Sequence, residues 1–514
     1  MTLAELLQVA DMNPLMSQTE DRLDQTLFAQ TVTGIAYDSR RVSPGSVFVA
    51  LKGQHVDGIT FAQQAQIQGA VAIVSESPPL ADIGVPWLTT EDARQSLAEL
   101  AVAFYRHPSA EMLVVGITGT NGKTTTAYLV DSIFESAGVR CGRLGSISYR
   151  VGSKELDAKR TTPEAPDVQR LLREMVDHGC GACAMEVSSH ALELKRVDGT
   201  KFAAAVFTNL TRDHLDFHGD MGTYLHAKRR LFQMIPTESL AIVNVDDPAG
   251  TSIVDLVQHS ITYAIDRDAD VFPDRFETSL EGISMDVRTP QGSLVVNSLL
   301  IGRSNVYNIL AAVAVCIALD SPLSAVEQGI AGLKGVPGRL QVVSDQLDDL
   351  TVMVDYAHTD DALKLLLETV RQLSPGRVIT VFGCGGDRDR TKRPLMGVVA
   401  ARLSDLVVIT TDNPRSEDPG DIIEEIMRGI EAGEDWQVAG EIQPRKHRTS
   451  TVAIVDRRVA IEEAICEAHA GDIVLIAGKG HEKHQIMGDH TLPFDDVATA
   501  KDALTRRKTK FRVS

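Results

Sequence analysis

The stretch Leu113-Val114-Val115-Gly116-Ile117-Thr118-Gly119-Thr120-Asn121-Gly122-Lys123-Thr124-Thr125 reads as an apolar strand running into a glycine-rich turn, then a helix that ends near Gly138. Glycines in such a turn let backbone N–H groups face inward and approach phosphate oxygens, and the following helix N-terminus adds partial positive charge. Lys123 would then reach the β- and γ-phosphates, and the Thr124 hydroxyl could hold Mg²⁺. Gly119, Thr120, Asn121, Gly122, Lys123, Thr124 and Thr125 form the expected nucleotide loop, and ATP is the expected nucleotide. One position departs from the common P-loop: the glycine five residues before the Gly-Lys pair is replaced by Ile117.

Working outward, 514 residues predict about three domains, with enough chain to bury several cores. The fold class is α/β. No window holds the roughly 18 uninterrupted apolar residues of a membrane helix. The start, Met1-Thr2-Leu3-Ala4-Glu5, lacks a basic and then apolar leader, so a cytoplasmic protein without a membrane partner is expected. A net charge of −19 argues against a nucleic-acid partner. Cys141, Cys180, Cys183, Cys316, Cys384 and Cys466 are too scattered for a disulfide framework, and Cys180-Gly181-Ala182-Cys183 has metal-knuckle spacing without a second pair. Reduced structural thiols are expected.

Residues 1–110 read as a small mixed domain, with a strand at Ser46–Leu51, a helix from Phe61 to Gly69 and a strand from Ala70 to Val74. From 111 to 340, β-like runs at 182–187, 202–209 and 240–245 alternate with helical stretches, the pattern of a parallel sheet covered by helices. A nucleotide site belongs at its strand ends. Residues 282–287 and 293–296 flank Thr289-Pro290-Gln291-Gly292 as an inserted hairpin, and Asn305–Leu319 reads as an apolar helix. The region 341–514 repeats strand then helix, with strands at 352–355, 378–382, 406–410 and 473–477.

Downstream of the loop come Met185-Glu186-Val187-Ser188-Ser189-His190, then Phe207-Thr208-Asn209-Leu210-Thr211-Arg212-Asp213-His214, and Lys228 within Tyr224-Leu225-His226-Ala227-Lys228-Arg229-Arg230. In type, order and spacing these segments resemble the central domain of the Mur ligase family, whose loop variant is Gly-Thr-Asn-Gly-Lys-Thr. The resemblance covers nearly the whole chain. It implies three domains: 1–110 binding a UDP-sugar, 111–340 a central P-loop ATPase domain, and 341–514 a Rossmann-like domain binding an amino acid. In the first, Tyr37-Asp38-Ser39-Arg40 and Gly53-Gln54-His55-Val56 are similar to UDP-sugar-binding segments. This assigns Tyr37, Ser39, Gln54, His55 and Val56 to that ligand. Thr161, Thr162, Ser188 and Arg196 correspond to contacts with the muramoyl peptide.

The details resemble the members that add a third residue to UDP-MurNAc-L-Ala-D-Glu. The activity implied is phosphorylation of the D-Glu carboxylate by ATP, followed by attack of an amine on the acyl phosphate, in peptidoglycan precursor synthesis. Lys123, Glu186, His214, Lys228 and Arg339 are the implied catalytic residues. Of two Mg²⁺ ions, Thr124 and Glu186 would face one. His214 and Lys228, the latter as an N6-carboxylysine carbamate, would face the other. Taken alone, a Lys in Lys-Arg-Arg is a solvated helix face. Asn305, Asn308 and Asp355 are implied to contact the base or ribose. Family members often carry Pro two residues after the His of Asp355-Tyr356-Ala357-His358, where this chain has Asp360.

Asp412-Asn413-Pro414-Arg415 bears on the amino acid. Meso-diaminopimelate differs from lysine by a second carboxylate, which a planar guanidinium can grip with paired charge-assisted bonds. Arg388, Asp412, Asn413, Pro414, Arg415, Gly478 and Glu482 are the implied diaminopimelate contacts. An Arg buried without its anion would cost several kcal/mol, so lysine should be rejected. The L-lysine-adding relative and a folylpolyglutamate synthase-like ligase stay open, as does a nucleotide-gated binding protein or transporter ATPase. A monomer is expected.

Overall fold

The computed structural model describes residues 1–11, 25–53, 56–373, 376–432 and 449–513. Three sheets organise the chain around successive cores. The first is a four-stranded parallel sheet of Gly34–Ala36, Ser46–Ala50, Ala72–Ser75 and Trp87–Thr89 in sequential order. Helix Ala93–Phe104 covers it, its start fixed by the Asp92 carboxylate, which accepts from the Arg94 and Gln95 amides at 2.9 Å each. The expected helix at 61–69 is shorter, Ala62–Ile67 behind a 3₁₀ turn over Gly58–Phe61.

The second sheet has eight strands, ordered Ser260–Tyr263, Leu240–Asn244, Ala204–Phe207, Leu113–Thr118, Ala182–Glu186, Cys141–Leu144, Ser148–Val151 and Lys154–Asp157. All neighbours are parallel except the last two pairings, which form an antiparallel extension. Leu113–Thr118 is central, with Ala204–Phe207 and Ala182–Glu186 beside it. Three motif-bearing strand ends therefore meet at one carboxyl edge. Helices Lys123–Ser136 and Arg303–Ala318 pack behind them, the latter buried nearly all round because it is apolar on every face.

The inserted hairpin expected between 261 and 300 is a three-stranded antiparallel sheet, with Phe272–Ser279 added to Gly282–Thr289 and Gly292–Ser298. The added strand is hard to see in sequence: polar residues crowd its exposed face, and a register shift follows Pro273, which cannot donate to the ladder.

The third sheet runs Gln341–Val342, Thr351–Asp355, Ile473–Ala477, Val378–Phe382, Leu406–Ile409 and Ser450–Ala453, parallel except for the first pairing. Its four inner strands are apolar runs buried on both faces by helices, as parallel strands require, while the edge strands Gln341–Val342 and Ser450–Ala453 are largely exposed. Loops carrying Asp355, Gly385, Asp412 and Gly478 leave its carboxyl edge together. Asp360 opens helix Asp360–Leu373, where negative charge is favoured, and lies 3.5 Å from Arg212 of the central domain. This gives Asp360 a role that proline could not fill. All six cysteines are free, and all but Cys466 are buried.

Candidate active site

Gly119 and Gly122 carry the turn, with φ of +145° and +88°. A Cβ on Gly119 would stand 1.8 Å from Thr208 Oγ1, and one on Gly122 2.3 Å from Asn308 Oδ1, so both positions demand glycine. The loop is held from the next strand: the Thr120 amide donates to Asn209 O at 2.9 Å, and the Asn121 amide donates to Asn209 Oδ1 at 2.9 Å. Lys123 Nζ curls back to donate to Gly119 O (2.9 Å) and Thr120 O (2.7 Å). Burial lowers its pKa, opposed by Glu186 and Asp213.

Glu186 ends its strand beneath this loop. Its carboxylate accepts from Thr124 Oγ1 at 3.0 Å and from the Ser146 amide and hydroxyl at 2.9 and 3.1 Å. Arg339 approaches from the opposite side, donating through Nη2 to Thr124 Oγ1 at 3.3 Å with its guanidinium 4.5 Å over the Tyr356 ring. Between them opens a cavity of about 680 Å³. All seven loop residues, Glu186, His214, Lys228, Asn305, Asn308, Arg339 and Asp355 line it.

Lys228 is 1% exposed, not a solvated helix residue. Its Nζ donates to Gly119 O at 2.8 Å and lies 4.2 Å over the Tyr224 ring. Burial, then the Lys123 charge, pushes its pKa well below the ordinary lysine value. His214 sits at φ +54° with Nε2 3.4 Å from Asp213 Oδ2, and burial pushes its pKa to about 4. Thr124 and Glu186 offer hard oxygens suited to Mg²⁺. Among the described residues no three His, Cys, Asp or Glu side chains converge as a metal cluster. A cation beside His214 would have the Asp213 carboxylate as its neighbouring oxygen donor, with further oxygens from a modified Lys228, phosphate or water.

Asn305 and Asn308 lock each other, Asn308 Nδ2 donating to Asn305 Oδ1 at 2.9 Å and Asn305 Nδ2 to Ile301 O at 2.8 Å. Asp355 accepts from the Leu340 and Ala357 amides at 2.6 and 2.8 Å, which fixes the turn bearing Arg339. The cavity also takes Arg303, Tyr307, Asp213, Ser146 and His358, to which sequence reading gave no role. Tyr307 stood between the two expected asparagines, on the same helix. Ser146 carried no recognisable motif.

Of the expected peptide contacts, Thr161 and Ser188 reach the cavity. Thr162 Oγ1 donates to Glu186 O at 2.8 Å and accepts from the Ser188 amide at 3.1 Å, while Arg196 donates to Thr162 O at 3.2 Å and pairs with Glu164 at 3.0 Å. Tyr37, Ser39 and Val56 lie outside the cavity lining, in the first sheet's loops. Tyr37 Oη bridges to the central domain by donating to Asp167 Oδ2 at 2.8 Å. Gln54 and His55 fall outside the described residues.

The expected amino-acid contacts form a separate cluster that does not line the cavity. Arg415, at φ +51°, donates through Nη1 to Gly386 O at 2.6 Å. Burial and the neighbouring Arg388 charge lower its pKa. Among the described residues neither arginine makes a salt bridge. Lys479, fully buried, donates to Glu482 Oε2 (2.9 Å) and Asn413 Oδ1 (3.0 Å) and lies 3.5 Å from Asp412 Oδ1. Asn413 Nδ2 donates to Glu482 Oε2 at 2.9 Å. Gly478 turns this corner at φ +114°, and Pro414 presents its carbonyl so closely to Gly386 that a Cβ there would lie 1.9 Å away.

Comparison with known proteins identifies the family. The Mur ligase family catalytic domain matches residues 31–105, the Mur ligase middle domain 117–316, and the Mur ligase glutamate ligase domain 338–480. A UDP-N-acetylmuramoyl-L-alanyl-D-glutamate–2,6-diaminopimelate ligase from Geobacter metallireducens is 47% identical over 91% of this chain and 93% of its own. The protein of that name from Geobacillus thermodenitrificans is 43% identical over 93% and 96%. A solved structure bearing the same name superposes with a TM-score of 0.67 at 32% identity, covering 99% of this chain and all of that one. The chain belongs to the Mur ligase family.

Proposed function

We propose that this chain is the ATP-dependent ligase that joins meso-diaminopimelate to the D-Glu carboxylate of UDP-MurNAc-L-Ala-D-Glu through an acyl phosphate, a step of peptidoglycan precursor synthesis. The observation that carries the reading is Arg339 standing on Thr124 of the phosphate loop. A carboxylate entering past Thr161 and Ser188 and a γ-phosphate on Lys123 would then share one positive field.

In this reading residues 1–110 hold the UDP-sugar through Tyr37, Ser39 and the 54–56 segment, 111–340 carry out phosphoryl transfer, and 341–514 deliver the amine. The loop amides and Lys123 hold the phosphates in line. A carboxylate oxygen attacks the γ-phosphorus, the bond to ADP breaks, and the acyl phosphate forms. The amine, having lost a proton, then attacks the acyl carbon and expels phosphate. Arg339 offsets charge in the first step, and Thr162 and Arg196 orient the peptide. Bound Mg²⁺ would neutralise phosphate and carboxylate charge, held by Thr124 and Glu186 at one position and by His214 with carbamylated Lys228 at the other. The neutral Lys228 amine favoured by burial is the form that adds CO₂, losing a proton to give an anionic oxygen ligand.

Arg388 and Arg415, which make no salt bridge among the described residues, are suited to the distal carboxylate that lysine lacks. This favours diaminopimelate over the lysine-adding alternative. No helix among the described residues is long and apolar enough to cross a membrane. We place the enzyme in the cytoplasm, as a monomer. A coupled assay with ATP, UDP-MurNAc-L-Ala-D-Glu and each amino acid tests the reading. Product with meso-diaminopimelate and transfer of ¹⁸O from the D-Glu carboxyl into phosphate are expected, and ATP hydrolysis indifferent to the amine would overturn it.

A further inference from the structure

One contact ties the amino-acid cluster to the phosphate centre. His481 Nε2 lies 3.2 Å from Ser146 O, across the boundary between the third and second sheets. A carbonyl can only accept, so Nε2 carries the proton. Burial, with Arg339 nearby, pushes the ring's pKa down to about 3 and keeps it neutral. Nδ1 has no partner among the described residues, and the ring rests 5.2 Å from Tyr356.

On one side of this contact, Ser146 donates from its amide and hydroxyl to both oxygens of Glu186, which also accepts from Thr124. A Cβ on Gly145 would lie 2.2 Å from Glu186 Oε1, so the turn fits the carboxylate without slack. On the other side, Glu482 takes the Lys479 ammonium and the Asn413 amide. A Cβ on Gly338 would lie 2.2 Å from the His481 amide, so the loop packs directly against the Arg339 turn.

We infer that His481 is a positioning residue that couples occupancy of the amino-acid site to the Glu186–Thr124 pair. An amino acid drawn onto Arg415 and Glu482 sets the Gly478–Glu482 loop, and the His481 Nε2–H then fixes the Ser146 turn that aims Glu186. The inference rests on the functional reading above.

The test is calorimetry on the full-length protein holding UDP-MurNAc-L-Ala-D-Glu, titrated with Mg²⁺ and β,γ-methylene-ATP, with and without saturating meso-diaminopimelate. In the wild type the amino acid should tighten the nucleotide about fivefold, the size of one neutral hydrogen bond, and the effect should be reciprocal. H481A and H481N should abolish that factor. H481Q, whose amide N–H falls where Nε2 stands, should restore it. If H481A does not fold, the Gln and Asn variants carry the comparison. Coupling retained in H481A or H481N, coupling lost equally in H481Q, or no coupling in the wild type overturns the inference. A wild type that turns over no diaminopimelate removes the functional reading as well. Turnover with coupling intact in H481N removes the inference alone.

Discussion

The phosphate centre and the amino-acid cluster handle positive charge in opposite ways. Around the loop, the half-buried Lys123 and the buried Lys228 both donate to Gly119 O, with Arg339 close by. Lys123 and Arg339 supply positive charge that any polyphosphate can meet, while burial favours the neutral amine of Lys228. In the third domain the buried Lys479 is already matched by Glu482 and Asp412, and among the described residues its neighbours Arg388 and Arg415 make no salt bridge. The first arrangement suits generic phosphate chemistry. On the proposed reading, the second leaves two guanidiniums without a salt bridge for one distal group, which is how selectivity arises from a polar site.

Each substitution below probes one side of that contrast. Lys123→Ala should have the largest effect, a loss of about 10³-fold in kcat, because a preorganised cation at the transferring phosphoryl group is removed. Steady-state ADP release checks it, and a loss smaller than tenfold would place Lys123 outside the chemistry. Lys228→Ala should follow, at roughly 10²-fold, with partial rescue by a short carboxylate such as acetate. Wild-type turnover in that variant would return Lys228 to an ordinary buried amine.

Arg415→Ala should lower kcat/KM for meso-diaminopimelate by about 10²-fold while leaving the KM for ATP unchanged, since one charge-assisted bidentate contact disappears. A parallel loss in ATP binding would mean that the two regions are not separable.

The smallest effect concerns pH. His190 and His214 pack edge to face at 4.8 Å, and burial pushes each pKa to about 4 from a normal 6.5. Between those values the unfolded chain binds more protons, so stability should fall as pH drops from about 6.5 toward 4. Thermal melts across that window should show the loss, and His190→Gln should flatten it.

The phosphate loop was legible because its chemistry is local: strand, glycines, Lys-Thr and helix are contiguous, and backbone geometry needs little else. Lys228 was legible only through its neighbours, since Lys-Arg-Arg on a helix looks solvent-facing until the helix is packed against Gly119. Arg415 was visible as a motif, but its lack of a salt bridge depends on Lys479, Glu482 and Asn413 satisfying one another across two loops. The strand Phe272–Ser279 was missed because its exposed face carries polar residues and Pro273 breaks its ladder. The short phosphate loop, with Ile117 in place of glycine, already carried the fold class and the nucleotide.

By itself the sequence determined which residues could meet phosphate, carboxylate and amine, because those capacities belong to side-chain type and to nearest-neighbour backbone geometry. Which of them share one cavity was decided only by the packing of the second and third sheets, which brings Arg339 onto Thr124 and His481 onto Ser146, 335 positions apart in the chain. Contacts over such separations depend on cores whose assembly no local pattern encodes. The same packing strips water from Lys228 and so changes its chemistry.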